Sequence, residues 1–232
     1  MIQSGKEKIR FTDKMNVSLA NAIRRSVAEI DVLAVDECDI YKNDSALYDE
    51  IIAHRLGLVP LANQSVKEGK AIELKLKAKG KEGGVNVLSK ELGDISVYPD
   101  MPIVYLEKDQ EIEVVARAST GKGKDHAKFM PGLLFYHEMP NIKISKAGES
   151  QTELADMYPD VFEFNNKLKI KDASMCHMDE DEAKNYPGID VSFDGTLVFE
   201  IESWGQMPAK DIFLGACKAL KSNLAELSKK IK

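Results

Sequence analysis

Ala71-Ile72-Glu73-Leu74-Lys75-Leu76-Lys77-Ala78 alternates with a period of two. Ile72, Leu74 and Leu76 fall on one face and Glu73, Lys75 and Lys77 on the other, the pattern of a half-buried strand. Lys81-Glu82-Gly83-Gly84 reads as a turn behind it. Residues 95–98, 111–118 and 141–145 are further strand candidates, and a glycine-containing loop, Gly121-Lys122-Gly123-Lys124, lies between the last two. The middle of the chain is therefore β-rich, with polar exits near Asn43 and near residues 146–153.

Outward from this module, residues 6–12 read as a short strand. Leu19, Ala20, Ile23, Val27 and Ile30 then recur at helical spacing, with Asp13 or Asn16 as the cap and Arg24 and Arg25 beside the stripe. Residues 34–41 alternate as a strand, with Val35 and Ile40 set among charges. A second helix is predicted over residues 47–56, stopping near Gly57 with Pro60 just beyond. Its stretch is apolar on more than one side, and such a helix is usually buried. In a chain of this size, one burial partner is expected to be another protein. Glu50, His54 and Arg55 come close together on it at a spacing of three to five residues.

Towards the C-terminus, residues 161–164 and 167–170 are strand-like, and Asp179-Glu180-Asp181-Glu182 reads as a solvated loop or helix start. Residues 196–202 alternate, with Leu197, Phe199 and Ile201 on one face. Pro208 suits a first helical turn. A final helix over residues 209–231 carries Phe213, Ala216, Leu220, Leu224, Leu227 and Ile231, close to a heptad seam. That stripe either packs on the chain's own sheet or waits for a partner helix.

The chain has 232 residues, 44% of them hydrophobic and 30% charged, and a formal net charge of -6. An acidic balance argues against a protein held to DNA mainly through phosphates. No apolar run approaches the roughly 20 residues that span a bilayer. The first residues lack a secretory-type hydrophobic segment, so a cytoplasmic location is expected. Three widely separated cysteines, Cys38, Cys176 and Cys217, suggest neither a disulfide framework nor a metal knuckle.

No catalytic constellation stands out. Phosphate-loop and nucleophile-elbow motifs are missing. No two of the four histidines have zinc-pair spacing, and the acidic run lacks the layout of a calcium loop. A free-standing enzyme around His54 or His126 would need a nucleophile, a base and an orienting group that the sequence does not assemble. The basic stretch from Gly123 to Pro131, with Lys124, His126, Lys128 and one aromatic, suits either a nucleic-acid loop or a polar interface loop. A nucleic-acid-binding module using residues 121–131 is therefore the alternative reading, and the acidic surroundings favour the interface.

Three stretches carry a family resemblance: Leu19-Ala20-Asn21-Ala22-Ile23-Arg24-Arg25, Ala34-Val35-Asp36-Glu37-Cys38-Asp39-Ile40, and the run from Leu47 to Leu61 containing Asp49-Glu50 and His54-Arg55-Leu56-Gly57-Leu58. Together with the Gly123–Pro131 loop and a terminal strand followed by a long helix, they resemble the D-type subunits of archaeal DNA-directed RNA polymerase. That family includes the third-largest subunit of eukaryotic RNA polymerase II and the N-terminal domain of the bacterial alpha subunit. The resemblance implies an α+β fold with a split dimerisation domain, a sheet plus two helices, over residues 1–42 and 154–232. Residues 43–153 would form an inserted β-rich domain.

The resemblance further implies a non-catalytic assembly platform of DNA-directed RNA polymerase, with the nucleotidyl-transfer chemistry in the large subunits. It would pair with small subunit L through Phe213, Ala216, Leu220, Leu224 and Leu227. It would meet the second-largest subunit through Asn21, Arg24, Arg25, Asp49, Glu50, His54, Arg55, Lys124, His126 and Lys128. Small subunits N and P belong to the same platform, DNA is reached only through the complex, and no membrane is involved. Some relatives carry a cysteine-rich iron-sulfur domain. The matching stretch here, residues 157–189, has Cys176 as its only cysteine, and a cluster needs about four thiolates. No iron-sulfur cofactor and no metal is expected, and the stretch is read as a degenerate remnant.

Overall fold

A computed structural model of the chain describes residues 3–64, 66 and 69–231. In chain order, the elements begin with β1 (Gln3–Ser4), β2 (Lys8–Asp13), α1 (Val17–Ser26), β3 (Asp31–Asn43) and α2 (Asp49–Gly57). The middle holds β4 (Ile72–Lys79), β5 (Val85–Leu88), β6 (Pro102–Leu106), β7 (Glu111–Lys122) and β8 (Gly132–Ile144). Next are α3 (Glu153–Met157), β9 (Phe162–Phe164), β10 (Leu168–Ile170), α4 (Glu180–Ala183), β11 (Ile189–Ser203) and α5 (Ala209–Lys230). Helices and sheets of this order make an α+β fold, as expected.

The strands form a four-stranded sheet in the order β1-β2-β11-β8, a three-stranded sheet β3-β7-β4, and the pairs β5-β6 and β9-β10. By packing, the chain divides into two compact units. One comprises residues 1–4, 10–20 and 135–200, and the other residues 5–9, 21–134 and 201–232. No helix among the described residues is long and apolar enough to cross a membrane.

The larger unit is built on β3-β7-β4. β4 pairs antiparallel with β7, placing Leu74 opposite Ala116 and Leu76 opposite Val114. These side chains enter a core with Leu33, Ile52, Leu56, Leu106 and Ile112. The other face of β4 is solvated, and Lys77 reaches Glu113 of β7 at 2.7 Å. Lysines on an edge strand discourage pairing with a further strand.

The smaller unit has a separate core of Leu154, Val161, Phe162, Leu168, Cys176, Met178 and Ile189. There Asp179 caps α4 by accepting from the N–H groups of Asp181 and Glu182, so the acidic run is a capped helical turn. In the same unit Arg10 is nearly buried and pairs with Asp172 at 2.9 Å. Asp172 in turn accepts from the Ser174 N–H at 2.9 Å, which ties residues 172–174 down.

Three sequence expectations need correction. Residues 95–98 are not a strand: Ser96 makes one isolated bridge to Leu61, and the neighbouring residues are held by Val97 N–H to Pro60 O (3.0 Å) and Ala62 N–H to Ile95 O (2.8 Å). Pro99 directly behind stops any ladder. The strand expected at 111–118 runs on through Lys122, absorbing half of the expected glycine loop. The strand expected at 141–145 is the end of the long strand β8.

Candidate assembly surface

Helix α1 starts at Asn16, whose Oδ1 accepts from the Ser18 N–H at 2.8 Å. This chooses Asn16 over Asp13 as the cap. On its exposed side, Asn21 Oδ1 accepts from Nε and Nη2 of Arg24, at 3.1 and 2.9 Å. Arg24 is thereby oriented by its own helix, and Arg25 is exposed beside it.

Strand β3 follows, and its register with β7 skips Asp36, between Val35 and Glu37. Such a bulge re-aims a side chain out of the pleat. The Asp36 carboxylate accepts from Lys128 Nζ at 2.6 Å and from Ser119 Oγ at 3.1 Å. The Lys128 hydrogen bond is the main reason this carboxyl is held below its ordinary range. The ammonium of Lys128 also lies 5.0 Å from the centre of the Phe129 ring.

Phe129 is buried against Gly121, where a Cβ would lie 2.5 Å from the ring. Glycine at 121 thus makes room for the aromatic that anchors the loop. His126 Nδ1 accepts from the Lys128 N–H at 3.1 Å.

These residues meet α2 in a cleft of about 220 Å³ lined by Asp36, Cys38, His54, Leu58, His126 and Lys128. The structure therefore brings His54, His126 and Lys128 together. Burial pushes the Cys38 thiol up. Asp49 is elsewhere on α2, its Oδ1 accepting from Asn43 Nδ2 at 2.7 Å. Arg55 leaves the cleft altogether and donates through Nη2 to Pro102 O at 2.6 Å. Glu50 and His54 are exposed.

Helix α2 fixes itself through Ile52 and Leu56, both fully buried, while Tyr48 is 79% exposed and Ile51 and Leu58 about half exposed. The loop lysines have carboxylate partners within the chain. Lys124 lies 3.0 Å and Lys122 3.7 Å from Glu29, and Lys128 is bound to Asp36. A phosphate-binding loop would leave such charges free.

Helix α5 splits along its length. Ala209, Ile212 and Ala216 are fully buried, and Gly215 passes Ile30, where a Cβ would stand 3.1 Å from the Ile30 Cδ1. Phe213 and Leu220 are half-buried. Leu224, Leu227 and Ile231 are 58%, 54% and 77% exposed. Reading residues along the chain misses Gly215, Gly121 and the Asp36 bulge as organisers. A β-bulge and a close approach are properties of paired backbone, and only the glycines hint at them.

The family model described as the RNA polymerase Rpb3/Rpb11 dimerisation domain matches residues 12–224. The chain belongs to this Rpb3/Rpb11 family. Among its relatives is DNA-directed RNA polymerase subunit Rpo3 of Pyrococcus furiosus, 32% identical over 242 residues, 95% of this chain and 91% of that protein. Rpo3 of Pyrococcus horikoshii is 33% identical over 241 residues, 95% of this chain and 92% of its own. Rpo3 of Methanobrevibacter smithii is 30% identical over 254 residues, 94% of this chain and 92% of its own.

Within the Rpb3/Rpb11 family the chain is thus a subunit of a DNA-directed RNA polymerase, akin to the archaeal subunits, as the three stretches around Arg24, Asp36 and His54 implied. Its partners are other subunits of that enzyme.

Proposed function

We propose that this chain is a non-catalytic platform on which the polymerase assembles. It pairs with a small L-type subunit through α5. It docks the second-largest subunit through α1, α2 and the cleft between α2 and the His126–Lys128 loop. Subunits N and P join the same platform, and the complex works in the cytoplasm. One observation carries the reading: the second half of α5 extends with Leu224 and Leu227, and Ile231 as its C-cap, more than half exposed, beyond a first half fastened by Ala209, Ile212 and Ala216. Apolar side chains repeated along one helix and left in water are the mark of an interface that a second helix completes. Obligate interfaces of this kind bury on the order of 2,000 Å² or more.

In this reading residues 1–42 and 154–232 supply the dimerisation domain and residues 43–153 the insert. Residues 157–189 serve without an iron-sulfur cluster: Cys176 is the only thiol there and it is buried in the local apolar core. Within the cleft, Lys128 and Asp36 hold the loop in place, leaving His54 and His126 for the partner. Co-expression with the L-type subunit of the same cell tests the proposal. A one-to-one complex by native mass spectrometry is expected, and a chain that stays monomeric beside an excess of that subunit overturns it.

A further inference from the structure

A cavity of about 460 Å³ lies on the flank of α2 away from the His54 cleft, lined by Leu47, Arg55, Asn86, Val104, Glu107 and Gln110 among others. Its volume is in the range of pockets that bind small molecules. The groups inside are unevenly matched. Arg55 is half-buried, and its one bond is from Nη2 to the Pro102 carbonyl. That bond fixes the fork and leaves the other guanidinium N–H groups without a protein acceptor among the described residues.

Gln110 spends its Oε1 on the Glu107 N–H, 2.8 Å away, so what it has left to offer is its NH2 pair. Asn86 adds a further amide from the exposed side of β5. Against these donors stands one acid, Glu107, exposed at the rim. The floor is apolar: Val104 is buried and Leu47 packs against the core.

A held guanidinium with unused donors over an apolar floor is complementary to a carboxylate attached to an apolar body. The next residue after Leu47 is Tyr48, 79% exposed. A small metabolite in the cavity would leave that ring in water, whereas a polypeptide crossing it covers both.

We infer that this cavity receives a peptide segment of another polymerase subunit, in which an Asp or Glu beside an apolar residue pairs with Arg55. The inference rests on the platform reading and deepens it: Arg55, which the resemblance sets at the second-largest subunit, is given a binding cavity of its own and a partner of stated chemistry. It is tested in the purified polymerase with a photo-crosslinking amino acid in place of Asn86, a position outside the pairing.

The expected product is one crosslinked peptide from another subunit carrying an acidic residue next to an apolar one. Its yield should fall at least tenfold with Arg55→Glu and be partly kept with Arg55→Lys. Where Arg55→Glu does not assemble, Arg55→Gln is read in its place. Crosslinks confined to this chain or to nucleic acid, to a segment without an acid, or unchanged in the Arg55 variants overturn the inference while leaving the platform standing. Purified polymerase that lacks this chain overturns both.

Discussion

Lys128 Nζ sits 2.6 Å from Oδ1 of Asp36, joining the loop between β7 and β8 to the bulge of β3. The lysine is only 14% exposed and the aspartate 46%. A partly desolvated charge-assisted hydrogen bond is stronger than a surface ion pair. Lys128→Met keeps an unbranched apolar side chain of similar length and removes the charge. It should cost about 1 kcal/mol in stability by urea unfolding, and weaken docking of the second-largest subunit by loosening His126.

Position 121 tests the same loop from below. Gly121→Val would place side-chain atoms where the Phe129 ring lies. The ring must leave its buried site, so a loss of about 2–3 kcal/mol is expected. Proteolysis within residues 122–130 should rise in step.

On α5 the prediction divides by burial. Leu224→Glu and Leu227→Glu alter exposed positions, so the chain's own unfolding free energy should stay within about 0.5 kcal/mol while the complex with the L-type subunit is lost on gel filtration. Ala216→Asp buries an unpaired carboxylate at a fully buried site and should unfold the chain itself.

On α1, replacing Arg24 and Arg25 together by Ala removes exposed groups whose only described partner is Asn21. Folding and pairing with the L-type subunit should be unchanged. Pull-down of the second-largest subunit should drop at least tenfold, and equal recovery would reject the assignment.

The smaller unit should be acid-sensitive through His137. Its Nε2 meets the Ser174 carbonyl at 3.1 Å, its Nδ1 is buried without a partner, and the His177 ring is 4.7 Å away. Burial first, then the neighbouring His177, hold this imidazole below its ordinary range against upward pulls from the Ser174 carbonyl and Glu200, and Arg10 adds the smallest push downward. The unfolded chain therefore takes up the proton first. Stability is complete above about pH 6.5 and is lost as pH falls from there through the lower folded value. His137→Gln, which retains a donor for Ser174, should flatten the fall in melting temperature between about pH 7 and 5.

Much of the fold was legible because its signals are local. β4 alternates cleanly since it is an edge strand with one dry and one wet face. The final helix shows through regular apolar spacing over most of its length and comes out as Ala209–Lys230. β5, β6 and the first part of β8 were not legible. β5 and β6 are short, and β8 opens on a glycine and carries Pro140, features that read as loop until a partner strand supplies hydrogen bonds.

Family membership, helices α1 and α2 and the apolar stripe of α5 could all be read along the chain, because each is written in neighbouring residues. Packing in three dimensions was needed to show that Arg55 turns away from His54, that Asp36 reaches Lys128 across a bulge, and that α5 is half core and half free surface. Those outcomes depend on which backbone passes close to which, and that is set by packing between segments far apart in the chain.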